Sequence, residues 1–240
     1  MSVRAALADI WPLYGLTIAT PRLELRLPIG GEIVELARVA AHGIQPPGEP
    51  HFQGDWLYEG SPQVERTVLQ RLCGDIAGWR PDDWSLGLAV FRDGQPIGVQ
   101  HVFSRHFAET RGFGSGVWLG LAFQRQGFGT ELARAALKLG FDGLGGREAY
   151  IGAWADNRAS LRIMEKLGYV TNGQYWQLRG GSGAQDRRMR LPRERWRSDE
   201  HAGITIAGLA PCLELFGLSN GDATVGDGER SAIAPAAASQ

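Results

Sequence analysis

The sequence of 240 residues has few cysteines, almost no net charge and no long apolar run. Its two cysteines, Cys73 and Cys212, lie far apart in apolar surroundings, which favours two buried, reduced thiols over a disulfide or a catalytic thiol. The sequence has no closely spaced set of cysteines and histidines of the kind that binds a metal. The net charge of −1 excludes a global basic field for nucleic acid or an anionic membrane. Because no stretch approaches 18 apolar residues and residues 1–9 lack a signal-peptide core, we expect a cytoplasmic protein.

Glycine is abundant, with 34 residues, about double the usual share of roughly 7%. The hydrophobic and charged fractions, 43% and 21%, are ordinary for a globular domain. We expect a lead-in over residues 1–15, one main domain over 16–198 and an extension over 199–218. Residues 219–240 are rich in Gly, Asp, Ala and Ser, which predicts a disordered tail.

The periodicity of apolar residues predicts alternating strands and helices. Residues 22–27 alternate arginine or glutamate with leucine, as a half-buried strand does. The proline-rich stretch 43–60 predicts a lid or a wrapping loop. Other predicted elements are helices 31–42, Ser61-Pro62 to about 76, 128–142 and 158–167, and strands 84–91, 96–103, 115–121, 148–154, 169–178, 184–191 and 203–209. Their order predicts an α+β fold in αβα layers around one largely antiparallel sheet.

One segment carries a specific chemical signal. A predicted strand delivers the chain to Gln124-x-x-Gly127-x-Gly129, and a helix begins at once. The two glycines let backbone N–H groups approach an oxyanion closely, and the helix adds its own unpaired N–H groups and positive dipole end. This arrangement suits a pyrophosphate. The alternative is a tight strand-to-helix turn that is merely rich in glycine.

A second block makes a family resemblance visible. Asp156-Asn157-Arg158-Ala159-Ser160, followed by Met164–Tyr169, resembles the closing signature of the GCN5-related N-acetyltransferase superfamily, and the glycine loop resembles its coenzyme A loop. The strand 22–26 is similar to the opening strand of the branch that contains the ribosomal-protein N-terminal acetyltransferases. The resemblance covers about residues 16–198. It implies a mostly antiparallel mixed sheet whose strands splay beside the loop.

A finer resemblance concerns the acyl donor. Residues 11–16, 82–86 and 203–217 resemble a subgroup that includes a member using succinyl-CoA. The resemblance therefore implies transfer of an acetyl or a succinyl group from acetyl-CoA or succinyl-CoA to a primary amine, by direct attack and without a metal. The acceptor amine is a small molecule or a protein, and its identity stays open. Residues 203–218 could serve a homodimer contact.

The resemblance also assigns roles to residues. Leu119 and Leu121 would offer backbone groups to the pantetheine arm, and an N–H near Leu119 would stabilise the oxyanion. Asn157 would bond the pantetheine amides and Ser160 would protonate the departing thiolate; the alternative is an ordinary helix N-cap with a small residue in the first turn. The pyrophosphate would be held by Gln124, Arg125, Gln126, Gly127, Phe128, Gly129 and Thr130.

The acceptor side departs from a common pattern of the family. Many relatives place a glutamate on the strand before the loop, and here that position falls near Gly114. Glu109 could reach in, although an exposed loop charge is the simpler interpretation, so the general base stays unassigned. The acceptor-side candidates are Trp84, His101, Arg105, His106 and Trp118. Arg105 or His106 could bind the distal carboxylate of a succinyl donor, or could belong to a solvated basic loop.

Two other functions compete with this interpretation. A dinucleotide-binding enzyme would need its glycine motif after an early parallel strand, which the hairpin-rich N-terminal half does not offer. A domain that binds acyl-CoA without catalysis, as a sensor or partner module, remains an alternative because the glutamate is missing.

Overall fold

Nine strands form one sheet in the part of the chain that the computed structural model describes, residues 1–45 and 60–219. The strands are β1 (Thr17–Ala19), β2 (Glu24–Arg26), β3 (Asp83–Arg92), β4 (Gln95–Arg105), β5 (Gly112–Leu119), β6 (Glu148–Trp154), β7 (Val170–Arg179), β8 (Ser182–Pro192) and β9 (Thr205–Ala207). The helices are α1 (Val3–Ile10), α2 (Gly31–Ala41), α3 (Gln63–Ala77), α4 (Phe107–Thr110), α5 (Phe128–Leu137) and α6 (Arg158–Lys166).

The sheet has the order β7-β8-β6-β5-β4-β3-β2-β1-β9. All neighbouring strands are antiparallel except β5 and β6, which run parallel. A parallel pair needs a crossover, and α5 supplies it between β5 and β6. The predicted fold class, a mostly antiparallel mixed sheet flanked by helices, is confirmed.

Two hydrophobic clusters cover the two faces of the sheet. Helices α2 and α3 pack on one face, where Ala89, Val99 and Trp118 are buried against them. The larger cluster on the other face includes the apolar side of α5 and the inward residues of β3. The site described below lies where the sheet opens between these two layers.

Several predicted element bounds are corrected. The lead-in contains α1, and Trp11 behind it meets Trp79 edge to face. Helix α3 begins at Gln63, so Pro62 stands before the helix rather than in its first turn. The predicted helix 128–142 ends as an α-helix at Leu137 and widens to a π-helix over Lys138–Gly143. Strand β5 ends at Leu119, which leaves Leu121 outside it.

The C-terminal extension packs onto its own chain. Strand β9 pairs with β1 and adds an edge to the sheet, and a 3-10 helix, Ala210–Phe216, buries Cys212 and Phe216. Gly208 has a φ of +71° and approaches the carbonyl of Gly15 so closely that a side chain would collide with it. The predicted homodimer and the division of the chain at residue 198 stay predictions.

The two cysteines differ in environment. Cys212 is buried, and burial raises the pKa of its thiol to about 12. The expectation for Cys73 was wrong, because this residue is exposed on α3.

Some predictions fall outside the described residues. They concern residues 46–59 of the predicted lid and residues 220–240 of the predicted tail. Within the described ranges, no helix is long and apolar enough to cross a membrane. In the same ranges, no three His, Cys, Asp or Glu side chains lie close enough to hold a metal ion.

Candidate active site

The sheet opens between its two parallel strands. Strand β5 pairs with β6 at three positions, where residues 112–114 face residues 148–150. Beyond these pairs the strands separate, while β5 stays paired with β4 as far as Leu119 and β6 stays paired with β8 as far as Trp154. The two strands therefore form a V whose open end lies at the glycine loop.

One edge of the V presents unpaired backbone groups. Gly120 donates its N–H to Ile97 on the β4 side, and alternate residues of an antiparallel strand point to opposite neighbours. The N–H groups of Ser115, Val117 and Leu119 therefore point into the gap, and Ser115 and Val117 also line the cavity there. Of the residues assigned from the sequence, Leu119 has this orientation. Leu121 does not, because its N–H is donated to Gly43 at 2.9 Å.

The glycine loop leaves a run of amides without protein acceptors. From residue 125 to residue 130, none of the main-chain N–H groups has an acceptor among the described residues, whereas the N–H of Glu131 returns to Gly127. Gly127 adopts a φ of +83°, which turns the chain into the first turn of α5. The loop amides and the positive end of the α5 dipole thus converge on one point, which is a place for an oxyanion.

Polar side chains brace this loop from outside. Gln124 donates to the carbonyls of Ile44 and Leu119, both at 2.7 Å, so its side chain anchors the loop. Arg22 donates to the carbonyl of Gln126 at 3.0 Å and pairs with Glu131. The sequence pattern predicts Arg22 only as an outward residue of a strand, and it holds no signal that links this residue to a loop so far along the chain.

A cavity of about 1270 Å³ runs through the V. Asn157 and Ser160 line it from the start of α6, as does Ser115 from β5. The Asn157 side chain also caps α6, accepting the N–H of Ser160 at 3.1 Å, so the capping alternative is present in the structure. Behind them, Tyr169 is hydrogen-bonded to Ser115, and burial raises the pKa of the tyrosine well above its usual range.

The acceptor side of the cavity shows why no glutamate stands at residue 114. The ring of Phe103 lies over Gly114 and occupies the place of a side chain there. Two residues further on, a Cβ added to Gly116 would meet no atom of the described residues within 4 Å, so these residues leave the space above it open. Trp118 is buried under α2 and α3, and Trp84 is 2% exposed and stacks on Trp79.

The polar candidates differ in position. Arg105 lines the cavity, but its side chain is 81% exposed and its guanidinium pairs with Asp83 at 3.3 Å. His106 is exposed at the start of α4, and Glu109 is exposed within α4. Arg188 was not singled out from the sequence, yet it lines the cavity above Gly152, where a Cβ would approach its guanidinium to 3.1 Å.

His101 has a charged partner that sequence reasoning missed. Its Nδ1 lies 3.5 Å from Oδ2 of Asp75 on α3, and the two side chains are 23% and 19% exposed. Burial raises the pKa of Asp75 to about 6 against the opposing influence of Ser85 and Arg71. Burial also lowers the pKa of His101 to about 4, assisted by the charge of Arg71. At neutral pH the pair therefore consists of a carboxylate and a neutral imidazole.

The parted strands, the loop with open amides and the helix that follows it are the features of an N-acetyltransferase. Residues 47–170, more than half of the chain, match the family model described as the acetyltransferase (GNAT) domain. The chain belongs to the GNAT acetyltransferase family and is an enzyme of the N-acetyltransferase class.

Solved structures with low sequence identity share the fold. A RimL ribosomal L7/L12 alpha-N-protein acetyltransferase in complex with coenzyme A is 18% identical, with a TM-score of 0.58 over 72% of this chain and 95% of that one. A GCN5-related N-acetyltransferase from Brucella melitensis is 19% identical, with a TM-score of 0.56 over 75% and 80%. An acetyltransferase of the GNAT family from Bacillus anthracis is 15% identical, with a TM-score of 0.54 over 74% and 99%.

Proposed function

We propose that the protein transfers an acetyl group from acetyl-CoA to a primary amine, with the thioester lying in the V between β5 and β6. The observation that carries the proposal is the alignment of the open strands with the loop amides of residues 125–130. An extended pantetheine arm can pair with the β5 edge as a further strand would. The pyrophosphate then reaches the six amides at the start of α5.

The geometry favours a particular oxyanion donor. The N–H groups of Val117 and Leu119 point into the gap, and Val117 lines the cavity whereas Leu119 does not. We therefore assign the N–H of Val117 as the hydrogen-bond donor to the thioester carbonyl, and the N–H of Leu119 as the donor to a carbonyl of the pantetheine arm. An N–H fixed in a strand stabilises the charge that develops in the tetrahedral intermediate without first having to reorganise.

The amine attacks the thioester carbon directly. The carbon–sulfur bond breaks as the carbon–nitrogen bond forms, and the thiolate leaves with the electron pair. We assign the protonation of that sulfur to Ser160, and its position in the first turn of α6, where it lines the same cavity, supports this role. Holding the two reactants in line supplies much of the remaining rate acceleration.

The donor specificity is the open part of the proposal. Arg105 at the rim of the cavity could pair with the distal carboxylate of a succinyl group, although it would have to leave Asp83 to do so. Turnover of acetyl-CoA and succinyl-CoA is therefore compared in the wild type and in Arg105→Ala. A preference for succinyl-CoA that Arg105→Ala abolishes supports this role, and equal turnover of both donors by both proteins removes it.

An amine panel tests the function itself. The panel contains a peptide with a free α-amine, an N-terminally blocked peptide with lysine, an aminoglycoside and a free amino acid, and release of free thiol from acetyl-CoA is measured. We expect thiol release with at least one of them. Tight binding of acetyl-CoA without turnover of any amine would instead favour the non-catalytic module.

A loop variant tests the donor site. Gly129 lies in the first turn of α5, where an acidic residue suits the helix dipole but repels a pyrophosphate. Gly129→Asp is expected to weaken coenzyme A binding at least about 10-fold more than the isosteric Gly129→Asn, which corresponds to about 1.4 kcal/mol. Calorimetry with coenzyme A measures both. Equal binding by the two variants would mean that no phosphate lies at this turn.

A further inference from the structure

The proposed reaction releases a proton from the amine, and the usual position for a group to accept it is closed. At that position Gly114 lies under the ring of Phe103. Glu109 is exposed within α4 and does not line the cavity. A proton acceptor on this face of the sheet must therefore come from another element.

The register of the sheet identifies where such a group can approach. On the face covered by α2 and α3, His101 of β4 stands directly between Gly87 of β3 and Gly116 of β5. Side chains of directly opposed residues lie about 4.5–5.5 Å apart at their Cβ atoms. Gly116 lines the cavity beside His101 in the register, but the imidazole leans the other way, over Gly87, and His101 is not among the residues that line the cavity. Ser85, which faces the same side of the sheet from β3, does line it.

Asp75 reaches the same place from α3. A Cβ on Gly87 would lie 2.5 Å from Oδ2 of Asp75 and 3.0 Å from Cε1 of His101, so the absence of a side chain there is what lets the carboxylate meet the imidazole. Oδ2 is buried and has no hydrogen-bond partner among the described residues. The nearest basic atom facing it is Nδ1 of His101, at 3.5 Å. A buried carboxylate oxygen without a donor is costly in a purely structural role.

We infer that, within the proposed function, the Asp75–His101 pair takes up the proton that the acceptor amine loses. The amine binds above Gly116, its nitrogen forms the bond to the thioester carbon, and its proton passes by way of the Ser85 hydroxyl, which lines the cavity and bonds to Asp75, to the pair, where the Asp75 carboxylate holds it beside His101. The thiolate receives a different proton on the opposite side of the V. The pair is regenerated when it loses its proton to solvent.

The charges around the pair fit this role. Among the described residues, Arg71 of α3 and the hydroxyl of Ser85 of β3 face it, and Ser85 bonds to Asp75 and lines the cavity. On the β5 side, the residue opposite His101 is Gly116, which carries no charge. Since the pair carries one negative charge at neutral pH and its carboxylate has a pKa of about 6, it has room for one proton in the working range.

The test is the pH dependence of kcat/KM for the best amine of the panel, measured with saturating acetyl-CoA between pH 5 and pH 9. We expect the wild type to lose activity below about pH 6, and both Asp75→Asn and His101→Gln to lose about 100-fold or more in kcat together with that acidic limb. Gly87→Ala retains both titrating groups but separates them, and it is expected to lower kcat with little change in the donor KM. Asp82→Asn changes an exposed carboxylate that follows α3 in the sequence, so it is the matched control and keeps the wild-type profile.

The outcomes separate the two proposals. Calorimetry first measures coenzyme A binding, which shows whether each variant is folded. If Asp75→Asn does not bind coenzyme A, the pH profile of His101→Gln alone tests the proposal. If the folded variants stay within about 3-fold of the wild type and keep the acidic limb, the pair is not the proton acceptor and the acyl transfer stands. If the wild type itself binds acetyl-CoA and acylates no amine, the proposed function falls and this assignment falls with it.

Discussion

Asp75 carries its charge where water reaches it poorly, since its side chain is 19% exposed between α3 and the sheet. Its pKa is raised from 3.8 to about 6, chiefly by burial. A carboxyl whose pKa is higher in the folded than in the unfolded chain binds protons more tightly when folded. Its ionisation therefore destabilises the fold as the pH rises through the window from about 4 to about 6, and the full cost is present above that window.

The size of the effect follows from the shift. A change of about 2 pKa units corresponds to about 3 kcal/mol of unfolding free energy at pH 8 and to about 1.5 kcal/mol at pH 5, where the folded state is mostly protonated. Asp75→Asn keeps the shape and removes the charge, so it is expected to stabilise the protein by up to these amounts. The titration of His101 is common to both proteins and largely cancels in the difference.

Urea unfolding of the wild type and Asp75→Asn at pH 5, 6, 7 and 8 measures this difference, with Asp82→Asn as the exposed control. The gain should grow with pH and level off above about pH 6.5. An Asp75→Asn protein that is less stable at pH 8, or a gain that grows towards acid, would refute the reasoning that burial dominates at this site. A variant that gains stability while losing turnover would show a carboxylate retained for its chemistry.

Three further outcomes are expected. Asn157→Ala removes the helix cap, so it should lower the stability by about 1 kcal/mol and raise the KM for acetyl-CoA, whereas Asn157→Asp keeps a capping oxygen. If neither variant changes the KM for acetyl-CoA, Asn157 serves as a helix cap and does not bind the donor. Gly116→Ala should leave urea unfolding unchanged, because its Cβ meets no described residue within 4 Å, and should raise the KM for the acceptor amine several-fold. If the variant and the wild type have the same KM for the amine, the amine does not bind above Gly116. One thiol per chain, that of Cys73, should react with a thiol reagent in the native state and two in denaturant, because burial raises the pKa of Cys212; two native thiols would contradict this.

Local signals in the sequence predicted most of the fold and indicated the residues that are proposed for the donor half of the site. The glycine loop, the strand before it and the helix after it are contiguous, so spacing alone indicated them. The predicted hairpin about Asp93-Gly94 and the order of the strands are also local in character. Element bounds shifted by a few residues, as at Leu121, where the strand ends earlier and the N–H turns to Gly43.

Features that depend on packing between distant elements were not predicted. Asp75 and His101 are 26 positions apart and meet only because Gly87 lies beneath them. The bracing of the loop by Arg22 likewise depends on β2 passing beside α5. The exposure of Cys73 could have been predicted: Val64, Val68 and Leu72 mark the buried face of α3, and the next residue is rotated by about 100° away from it.

The absence of a glutamate at residue 114 and the presence of a carboxylate at residue 75 have one steric explanation. With the ring of Phe103 over Gly114, a carboxylate at residue 114 of β5 has no room, and the acceptor space shifts two residues along the strand to Gly116. The residue of β4 that faces Gly116 is His101, and the helix above it carries Asp75. A proton acceptor supplied from α3 is therefore what this packing permits. Phe103→Ala alone should not replace it, because that change opens space over Gly114 without adding a base.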